Sequence, residues 1–176
     1  MVRFNQINLR GITGMKIVVT GDTHLPVKGR NLPTELVSAC ETADLIIHTG
    51  DWHSMEVYEE LSTFSQVVGV YGNVDSEQVK TNFPLKQSIQ VESFNIGIIH
   101  GHGEKKTTEK RVLEAFSNQE MDIIIFGHSH IPMLRYVGKT LLMNPGSPTY
   151  KRKLPYYSFG ILELDHTIRA SFIYFS

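Results

Sequence analysis

Short apolar runs recur along the chain, and most of them stop at a glycine. The first three, at 16–20, 44–49 and 66–71, are separated by segments in which apolar residues recur at helical spacing. Short runs rich in Val and Ile predict buried β-strands, and the intervening segments predict amphipathic helices. The chain therefore opens with a βαβαβ order, which favours parallel strands joined by crossover helices.

The second half of the chain is richer in strands. A hairpin is predicted over 88–99 around a polar turn at 92–93, and a helix capped by a threonine at 107 or 108 precedes the apolar strand 122–126. Four further strands with short turns are predicted at 133–137, 140–143, 157–164 and 168–174. Their order predicts a mostly antiparallel second sheet, packed face to face with the first and flanked by helices.

The start of the chain does not fit this pattern. Residues 1–14 contain no continuous apolar segment of the kind a signal peptide needs. We treat 1–14 as a leader of uncertain origin and expect residues 15–176 to form a single domain, since that length supports one hydrophobic core.

Composition narrows the functional classes. A hydrophobic content of 41% and a charged content of 20% are typical of a folded globular protein. A formal net charge of -1 provides no long-range attraction to nucleic acid or anionic membranes, and no apolar run is long enough to span a bilayer. The one cysteine, Cys40, excludes an internal disulfide framework and favours a cytoplasmic protein. Assembly into a homo-oligomer stays open.

Polar side chains of metal-binding type follow the predicted strand ends. They are Asp22, His24, Asp51, Asn73, His100, His128 and His130. Ligands of open α/β sheets bind beyond the carboxyl ends of the strands, so we expect these side chains to converge. Nitrogen and hard oxygen donors together suit Mn²⁺, Fe²⁺, Zn²⁺ or Ni²⁺. Seven donors are too many for one tetrahedral ion, but they suit two ions that share a carboxylate.

The spacing of these residues resembles a known signature. The matching motifs are Asp22-Thr-His24, Gly50-Asp51, Gly72-Asn73, His100 and Gly127-His128-Ser-His130. They resemble the calcineurin-like metallophosphoesterases and, with the turn at 144–147, are most similar to the small bacterial and archaeal phosphodiesterases. The resemblance extends from residue 15 to about residue 164. It implies an α/β fold, a four-layer α-β-β-α sandwich of two facing mixed sheets.

The resemblance also implies a metal centre with two divalent ions. By position, one ion would be held by Asp22, His24, Asp51 and His130. The other would be held by Asp51, Asn73, His100 and His128. Mn²⁺ is the first choice, with Ni²⁺, Fe²⁺ and Zn²⁺ as alternatives.

The implied activity is hydrolysis of a small-molecule phosphate ester by a hydroxide that bridges the two ions. A phosphodiesterase is the leading interpretation, and a phosphomonoesterase such as a nucleotidase is the alternative. The residues expected to be catalytic are Asp51, Asn73, Asp75 and His102. A third interpretation is a non-catalytic scaffold, because the fold also resembles the retromer scaffold subunit. The incomplete metal-site histidines of that subunit weigh against this interpretation, since here all are present.

One position departs from the wider superfamily pattern. The residue after the metal-binding asparagine is commonly histidine there, but here it is Val74, although Asp75 is retained. Loss of a general acid commonly costs about 10²–10⁴-fold in rate, so substrates with good leaving groups are favoured. His53 and His102 are the candidate substitutes, and supporting or solvent-exposed roles are the alternative for both.

Other residues have simpler interpretations. His48 lies within a strand and is expected to be a hydrogen-bonded core residue. Trp52 could line the pocket, stack on a substrate ring or pack beneath the loop that carries Asp51. The basic groups at 105–111 and 151–153 are expected to be solvated faces, with a flanking role at the substrate mouth as the alternative for the first.

Overall fold

The computed structural model describes residues 5–6, 14–26 and 31–176. Four helices and eleven strands lie within these ranges. The helices are α1 (Thr34–Cys40), α2 (Met55–Ser62), α3 (Glu77–Asn82) and α4 (Thr108–Ala115). The strands are β1 (Asn5–Gln6), β2 (Met15–Thr20), β3 (Leu45–His48), β4 (Gln66–Gly69), β5 (Lys86–Val91), β6 (Phe94–Ile99), β7 (Ile123–Phe126), β8 (Met133–Val137), β9 (Thr140–Asn144), β10 (Tyr157–Leu164) and β11 (Ile168–Phe175).

The strands form two mixed sheets. The first has the order β11-β10-β2-β3-β4, in which β2, β3 and β4 are parallel, as the βαβαβ pattern predicted. The second has the order β1-β5-β6-β7-β9-β8. In it β6, β7 and β9 are parallel, whereas β5 runs antiparallel to β6 and β8 runs antiparallel to β9.

The expectation of a mostly antiparallel second sheet was wrong. The four tail strands divide between the sheets: β8 and β9 join the second sheet, whereas β10 and β11 extend the first beyond β2. Strand length and turn chemistry predict hairpins correctly. They do not determine which earlier strand in the sequence each hairpin pairs with, because that pairing is between distant segments.

Apolar side chains are buried in three clusters that define four layers. Alternate residues of β2 point in opposite directions, so that Ile17 and Val19 lie between the sheets while Val18 packs on the helix side. The cluster outside the first sheet includes Leu36 of α1 and Leu61 of α2. The third cluster packs α4 against the second sheet. The expected four-layer sandwich is thereby confirmed.

Local signals correctly located the helix starts. The Ser54 hydroxyl accepts the Glu56 N–H at 3.3 Å, and the Thr107 hydroxyl accepts the Lys110 N–H at 3.3 Å, so both cap helices. Each of these two helices therefore begins directly after a strand-end loop.

The expected leader falls largely outside the described residues. Within it, Asn5–Gln6 pairs in parallel with Ile89 and Gln90 at the edge of the second sheet. The division into a leader and one domain over 15–176 stays a prediction. Among the described helices, none is long and apolar enough to cross a bilayer.

Candidate metal centre

Six of the seven predicted ligands converge at the carboxyl ends of the central strands. They come from the loops after β2, β3, β6 and β7, and those loops are tied together by backbone hydrogen bonds. The Asp22 N–H donates to the Gly50 carbonyl at 2.9 Å, and the His24 N–H donates to the Asp51 carbonyl at 3.0 Å. Parallel pairing aligns these loops within each sheet, and the two facing sheets bring residues more than a hundred positions apart, such as Asp22 and His128, into one cluster.

The converging side chains form two groups of three. Asp22, His24 and His130 make the first, and Asp51, His100 and His128 make the second; within each group the ligand atoms lie within 4.8 Å of one another. In the first group His130 Nε2 is 3.3 Å from Asp22 Oδ1 and 3.2 Å from His24 Nε2. Two unshared nitrogen lone pairs and a carboxylate oxygen at these distances are suited to a divalent ion.

Asp51 connects the two groups. Its Oδ2 atom lies 3.2 Å from His100 Nε2 in its own group and 3.7 Å from His24 Nε2 in the other. Asp22 Oδ1 also lies near both groups, 4.0 Å from the Nε2 atoms of His24 and His100. The two sets of donors are thus contiguous, with a carboxylate between them.

Backbone amides fix the orientation of both carboxylates. The His128 N–H donates to Asp22 Oδ2 at 2.9 Å, and the Val74 N–H donates to Asp51 Oδ1 at 3.1 Å. Each aspartate therefore has one oxygen held by the backbone and the other directed at the histidines. This arrangement requires close approach at Gly72, where a Cβ would lie 2.1 Å from Asp51 Oδ1.

Backbone carbonyls fix the tautomers of two histidines. His100 Nδ1 lies 2.9 Å from the Thr49 carbonyl oxygen, and His130 Nδ1 lies 2.6 Å from that of Tyr150. Because a carbonyl only accepts, each Nδ1 carries the proton and each Nε2 presents its lone pair to the cluster. Metal-ligating histidines are commonly oriented in this way.

Buried polar atoms without hydrogen-bond partners indicate whether this cluster could hold metal ions. Asp22 Oδ1 and His100 Nε2 are buried and have no hydrogen-bond partner. Buried polar atoms are nearly always satisfied, so their lack of partners in the middle of a donor cluster is what a cation site requires. The donor set of imidazole nitrogens and carboxylate oxygens fits divalent transition-metal ions.

Unusual backbone conformation is concentrated in the same residues. Five of the seven predicted ligands have positive φ angles: Asp22 (51°), His24 (50°), Asp51 (57°), His128 (68°) and His130 (60°). For residues with a Cβ this left-handed conformation costs roughly 1–2 kcal/mol each. Outliers of this kind persist where the surrounding structure enforces them, and they are typical of functional sites.

Burial and neighbouring charges shift the pKa values of several residues in the cluster. Burial opposes ionisation of Asp51, but the adjacent His100 ring, the Val74 N–H and the His24 ring outweigh it and hold the pKa of this carboxyl below its usual range. Burial disfavours protonated His100, yet Asp51 and Asp22 outweigh it and raise the His100 pKa. Burial lowers the pKa of His24, which favours the neutral imidazole that metal binding needs.

Asn73, the seventh predicted ligand, is exposed beside the cluster. It follows Gly72, whose N–H donates to Asp75 Oδ2 at 2.7 Å, and precedes Val74, which is bonded to Asp51. Its backbone is therefore held at the cluster from both sides.

Asp75 links two loops of the site. Its buried carboxylate accepts the N–H groups of Asp51 at 3.1 Å, His53 at 2.6 Å and Gly72 at 2.7 Å. Burial raises the pKa of Asp75 even though these hydrogen bonds act in the opposite direction. A carboxylate engaged by three backbone donors is suited to positioning Asp51 rather than to touching a substrate, which argues against the catalytic role predicted for Asp75.

The two candidate substitutes for the missing histidine differ in location. His102 is half-buried, its ring centroid is 5.4 Å from that of His100, and its buried Nδ1 has no hydrogen-bond partner. Burial, together with the nearby His100 and Arg111, lowers the His102 pKa. His53 is exposed. Val74, which occupies the position of the missing histidine, is 41% exposed.

Trp52 does not face the site. It is fully buried, its ring stacks on those of His48 and Phe83 at 3.5 and 4.7 Å, and its Nε1–H donates to the Val70 carbonyl at 2.8 Å. The interpretations of Trp52 as a pocket wall or a substrate-stacking ring were therefore wrong. The core assignment of His48 is confirmed, since His48 is buried and bonded to Thr23 and Gly50.

Sequence reasoning gave too little weight to the segment after β9. The Asn144 amide donates to the Gly127 carbonyl at 2.8 Å, and the Ser147 hydroxyl donates to the Asp22 carbonyl at 2.8 Å. Tyr150, which was not predicted at the site, lies against both His24 and His130. The turn composition at 144–147 was the available signal for this segment.

Similarity to known proteins agrees with this geometry. Residues 15–167 match the calcineurin-like phosphoesterase superfamily domain. The chain belongs to this family. It is 34% identical to a probable metallophosphoesterase of Methanothermobacter thermautotrophicus, over 86% of this chain and 87% of that one.

Two further relatives represent the functional alternatives. A protein named phosphodiesterase from Methanocaldococcus jannaschii is 29% identical over 86% of this chain and 94% of its own length. The crystal structure of a Vps29 variant from Entamoeba histolytica superposes with a TM-score of 0.69 at 25% identity, covering 92% of this chain and all of that one. This chain therefore combines a metallophosphoesterase family fold with clustered metal-ligand side chains.

Proposed function

We propose that this family member is a dinuclear metal-dependent phosphodiesterase. The observation that carries the proposal is the position of Asp51 Oδ2, 3.2 Å from His100 in one ligand group and 3.7 Å from His24 in the other. A carboxylate oxygen in this position is suited to two ions, because it lies within reach of both groups of donors. The similarity to an archaeal phosphodiesterase supports the preference for diesters.

Seven side chains would hold the metals. Asp22, His24, Asp51 and His130 would bind one ion, and Asp51, Asn73, His100 and His128 the other. When bound, divalent ions such as Mn²⁺ supply an activated water and compensate the negative charge of the phosphate. The exposed amide of Asn73 adds a neutral oxygen, which leaves the centre positive enough for an anionic diester.

The chain's own groups orient the reaction. The backbone donors of His128 and Val74 hold the two aspartates, so the ligand atoms need little reorganisation when substrate binds. His102 lies beside His100 and its ring is only half-buried, so we assign it the proton transfer to the leaving oxygen. Asp75 would act through Asp51 as a positioning residue.

The decisive experiment compares one diester and one monoester with the same leaving group. We expect metal-free protein reloaded with Mn²⁺ to hydrolyse bis(p-nitrophenyl) phosphate in preference to p-nitrophenyl phosphate, with two metal ions per chain by elemental analysis. Asp51→Asn should lower kcat about 10²–10³-fold, because removal of an electrostatic stabiliser of the transition state costs this much. Glu163→Gln, at an exposed carboxylate of β10, is the matched control.

His102 has its own test. His102→Gln should reduce turnover of diesters with alkyl leaving groups far more than turnover of p-nitrophenyl diesters, because only poor leaving groups need a proton. Equal losses on both substrates would exclude the proton-transfer role. Full activity of the chelated protein would refute the metal-dependent mechanism altogether.

Two other functions would give different results. A phosphomonoesterase would prefer p-nitrophenyl phosphate. A scaffold, as the similarity to Vps29 suggests, would bind a protein partner equally well with and without metal and hydrolyse neither ester. The cytoplasmic location and a homo-oligomeric state remain predictions from the sequence.

A further inference from the structure

The rim of the candidate metal centre carries an aromatic ring. The Tyr150 ring packs edge-on against His24, with centroids 5.8 Å apart at 68°, and against His130, with centroids 5.4 Å apart at 75°. Despite these contacts Tyr150 is 50% exposed. One edge thus contacts two predicted ligands while much of the ring is open beside the place where a phosphate ester would bind.

The main chain of Tyr150 is held firmly. Its N–H donates to the Ser147 hydroxyl at 2.8 Å, and its carbonyl accepts the His130 Nδ1 proton at 2.6 Å. Ser147 in turn bonds to the Asp22 carbonyl. The ring is therefore preorganised relative to the metal ligands, and a planar group could stack on it at little entropic cost.

A cation lies two residues further along the same segment. The Arg152 guanidinium is exposed and its Nη2 lies 3.5 Å from the His128 carbonyl oxygen, which places positive charge next to a predicted ligand. Arg152 also has a positive φ of 52°. A guanidinium with its remaining N–H groups exposed is suited to a phosphate oxygen.

Several other cations around this rim have partners. Lys106 is paired with Glu114, and Lys151 donates to the Pro155 carbonyl and lies over the Tyr157 ring. Arg111 donates to the carbonyls of Gly101 and Lys106, so its charge supports the loop after β6. Arg152 has one long hydrogen bond and is the better placed of these groups to receive an anion.

We propose that Tyr150 and Arg152 form a substrate-recognition wall that selects phosphodiesters whose retained group, the one that stays on the phosphate after hydrolysis, includes a planar group, either an aryl ring or a nucleobase. The planar group stacks on Tyr150, and the phosphate or a neighbouring anionic group contacts Arg152. This inference rests on the proposed phosphodiesterase function. It assigns to Tyr150 the stacking role for which Trp52, being buried, is unsuited.

The kinetic test keeps the leaving group constant and varies the retained group. p-Nitrophenyl thymidine 5′-phosphate and p-nitrophenyl ethyl phosphate both release p-nitrophenol, so differences in kcat/KM report recognition of the retained group. Tyr150→Ala should reduce the preference for the thymidine diester about fivefold or more, mainly through KM, because base stacking on an aromatic ring contributes at least this much. Tyr150→Phe should keep the preference.

The control is Tyr156→Ala, which removes a tyrosine of similar exposure, 54%, from the same segment. It should leave the preference intact. If Tyr150→Ala and Tyr156→Ala behave alike, or if wild-type protein shows no preference for the thymidine diester, the recognition wall is refuted.

A binding test separates this inference from the proposed function. Calorimetry would measure thymidine 5′-phosphate and inorganic phosphate with the Mn²⁺-loaded protein, where no turnover is needed. Tyr150→Ala should lower the affinity ratio of the two ligands about fivefold or more, whereas Arg152→Gln should weaken both ligands in parallel and Arg152→Lys should recover part of the loss.

The outcomes are distinguishable. If the wild-type protein hydrolyses diesters but Tyr150→Ala does not change the affinity ratio, the recognition wall is overturned and the proposed function stands. Absence of hydrolysis together with Tyr150-dependent nucleotide binding overturns the proposed function and leaves the recognition wall standing. Unchanged phosphate affinity in Arg152→Gln removes Arg152 from the wall.

Discussion

At the scale of single residues, the chemistry of the site depends on the separate roles of the two carboxylate oxygens in each aspartate. One oxygen of Asp22 and one of Asp51 are bound by backbone N–H groups, which leaves the other oxygen of each for a metal. Asp75 supports this division by holding the loops that carry Asp51 and Gly72. Within each aspartate, the two carboxylate oxygens therefore have separate tasks.

Asp75→Asn should destabilise the metal-free protein. An amide cannot satisfy three backbone donors as a carboxylate does, so a buried N–H is left unpaired, which costs about 1–3 kcal/mol. Relief of the repulsion between Asp75 and Asp51 offsets part of this loss. Urea denaturation of chelated protein measures the effect.

Asn73→Ala provides the comparison, because Asn73 is exposed in the adjacent position and its loss should change the free energy of unfolding by less than about 0.5 kcal/mol. Equal stability of Asp75→Asn and wild type would contradict the positioning role.

Cys40 should make stability fall at alkaline pH. Burial raises the pKa of its thiol from 9.0 to about 12. Above pH 9 the unfolded chain releases this proton while the folded protein keeps it. Ionisation therefore stabilises the unfolded state, and the free energy of unfolding falls as pH rises. Between pH 9 and 10 the contribution is about 1 kcal/mol.

Unfolding of wild type and Cys40→Ala at both pH values isolates this contribution, since other titrating groups are common to both proteins. A constant stability difference between the two proteins would show that the thiol ionises equally in both states.

At the scale of elements, much of the architecture could be predicted because apolar runs stop where strands stop. The residues after β2, β3, β6 and β7 were recognised as ligands for this reason, and five of them have the left-handed conformation of sharp strand-end turns. The two-residue β1 and the sheet membership of β8 to β11 could not be predicted, because both depend on pairing across the chain. The same limit applies to Trp52 and Tyr150, since distant contacts decide which ring faces the rim.

The contact between α4 and β6 depends on a strand glycine. A Cβ at Gly97 would lie 2.9–3.0 Å from three ring carbons of Phe116, which belongs to the cluster outside the second sheet. Gly97→Ala should therefore lower the free energy of unfolding by about 1–3 kcal/mol through overpacking.

Combining Gly97→Ala with Phe116→Leu should destabilise by less than the sum of the two single changes, because leucine vacates the space that the new methyl group needs. Thermal unfolding of the four proteins gives the coupling. Strict additivity would show that the helix moves away from the strand instead.

At the scale of the whole molecule, the ligands join loops from both sheets, so metal binding should stabilise the entire fold. An ion that binds only the folded state at a concentration of 100 Kd adds about 2.7 kcal/mol, which corresponds to a rise in Tm of roughly 5–10 °C for a chain of this size. Differential scanning fluorimetry of chelated protein with added Mn²⁺ measures it.

His24→Ala combined with His100→Ala should abolish the shift in Tm, because one nitrogen donor is removed from each group. A shift of equal size in the double variant would place the bound ion elsewhere.

The pairing of β10 with β2 joins segments more than 140 residues apart in the sequence. During synthesis β2 is made well before β10, and the edge of β2 that faces β10 stays unpaired until β10 has emerged. Nascent chains stalled before β10 should therefore expose this edge and bind chaperones that hold unfolded chains.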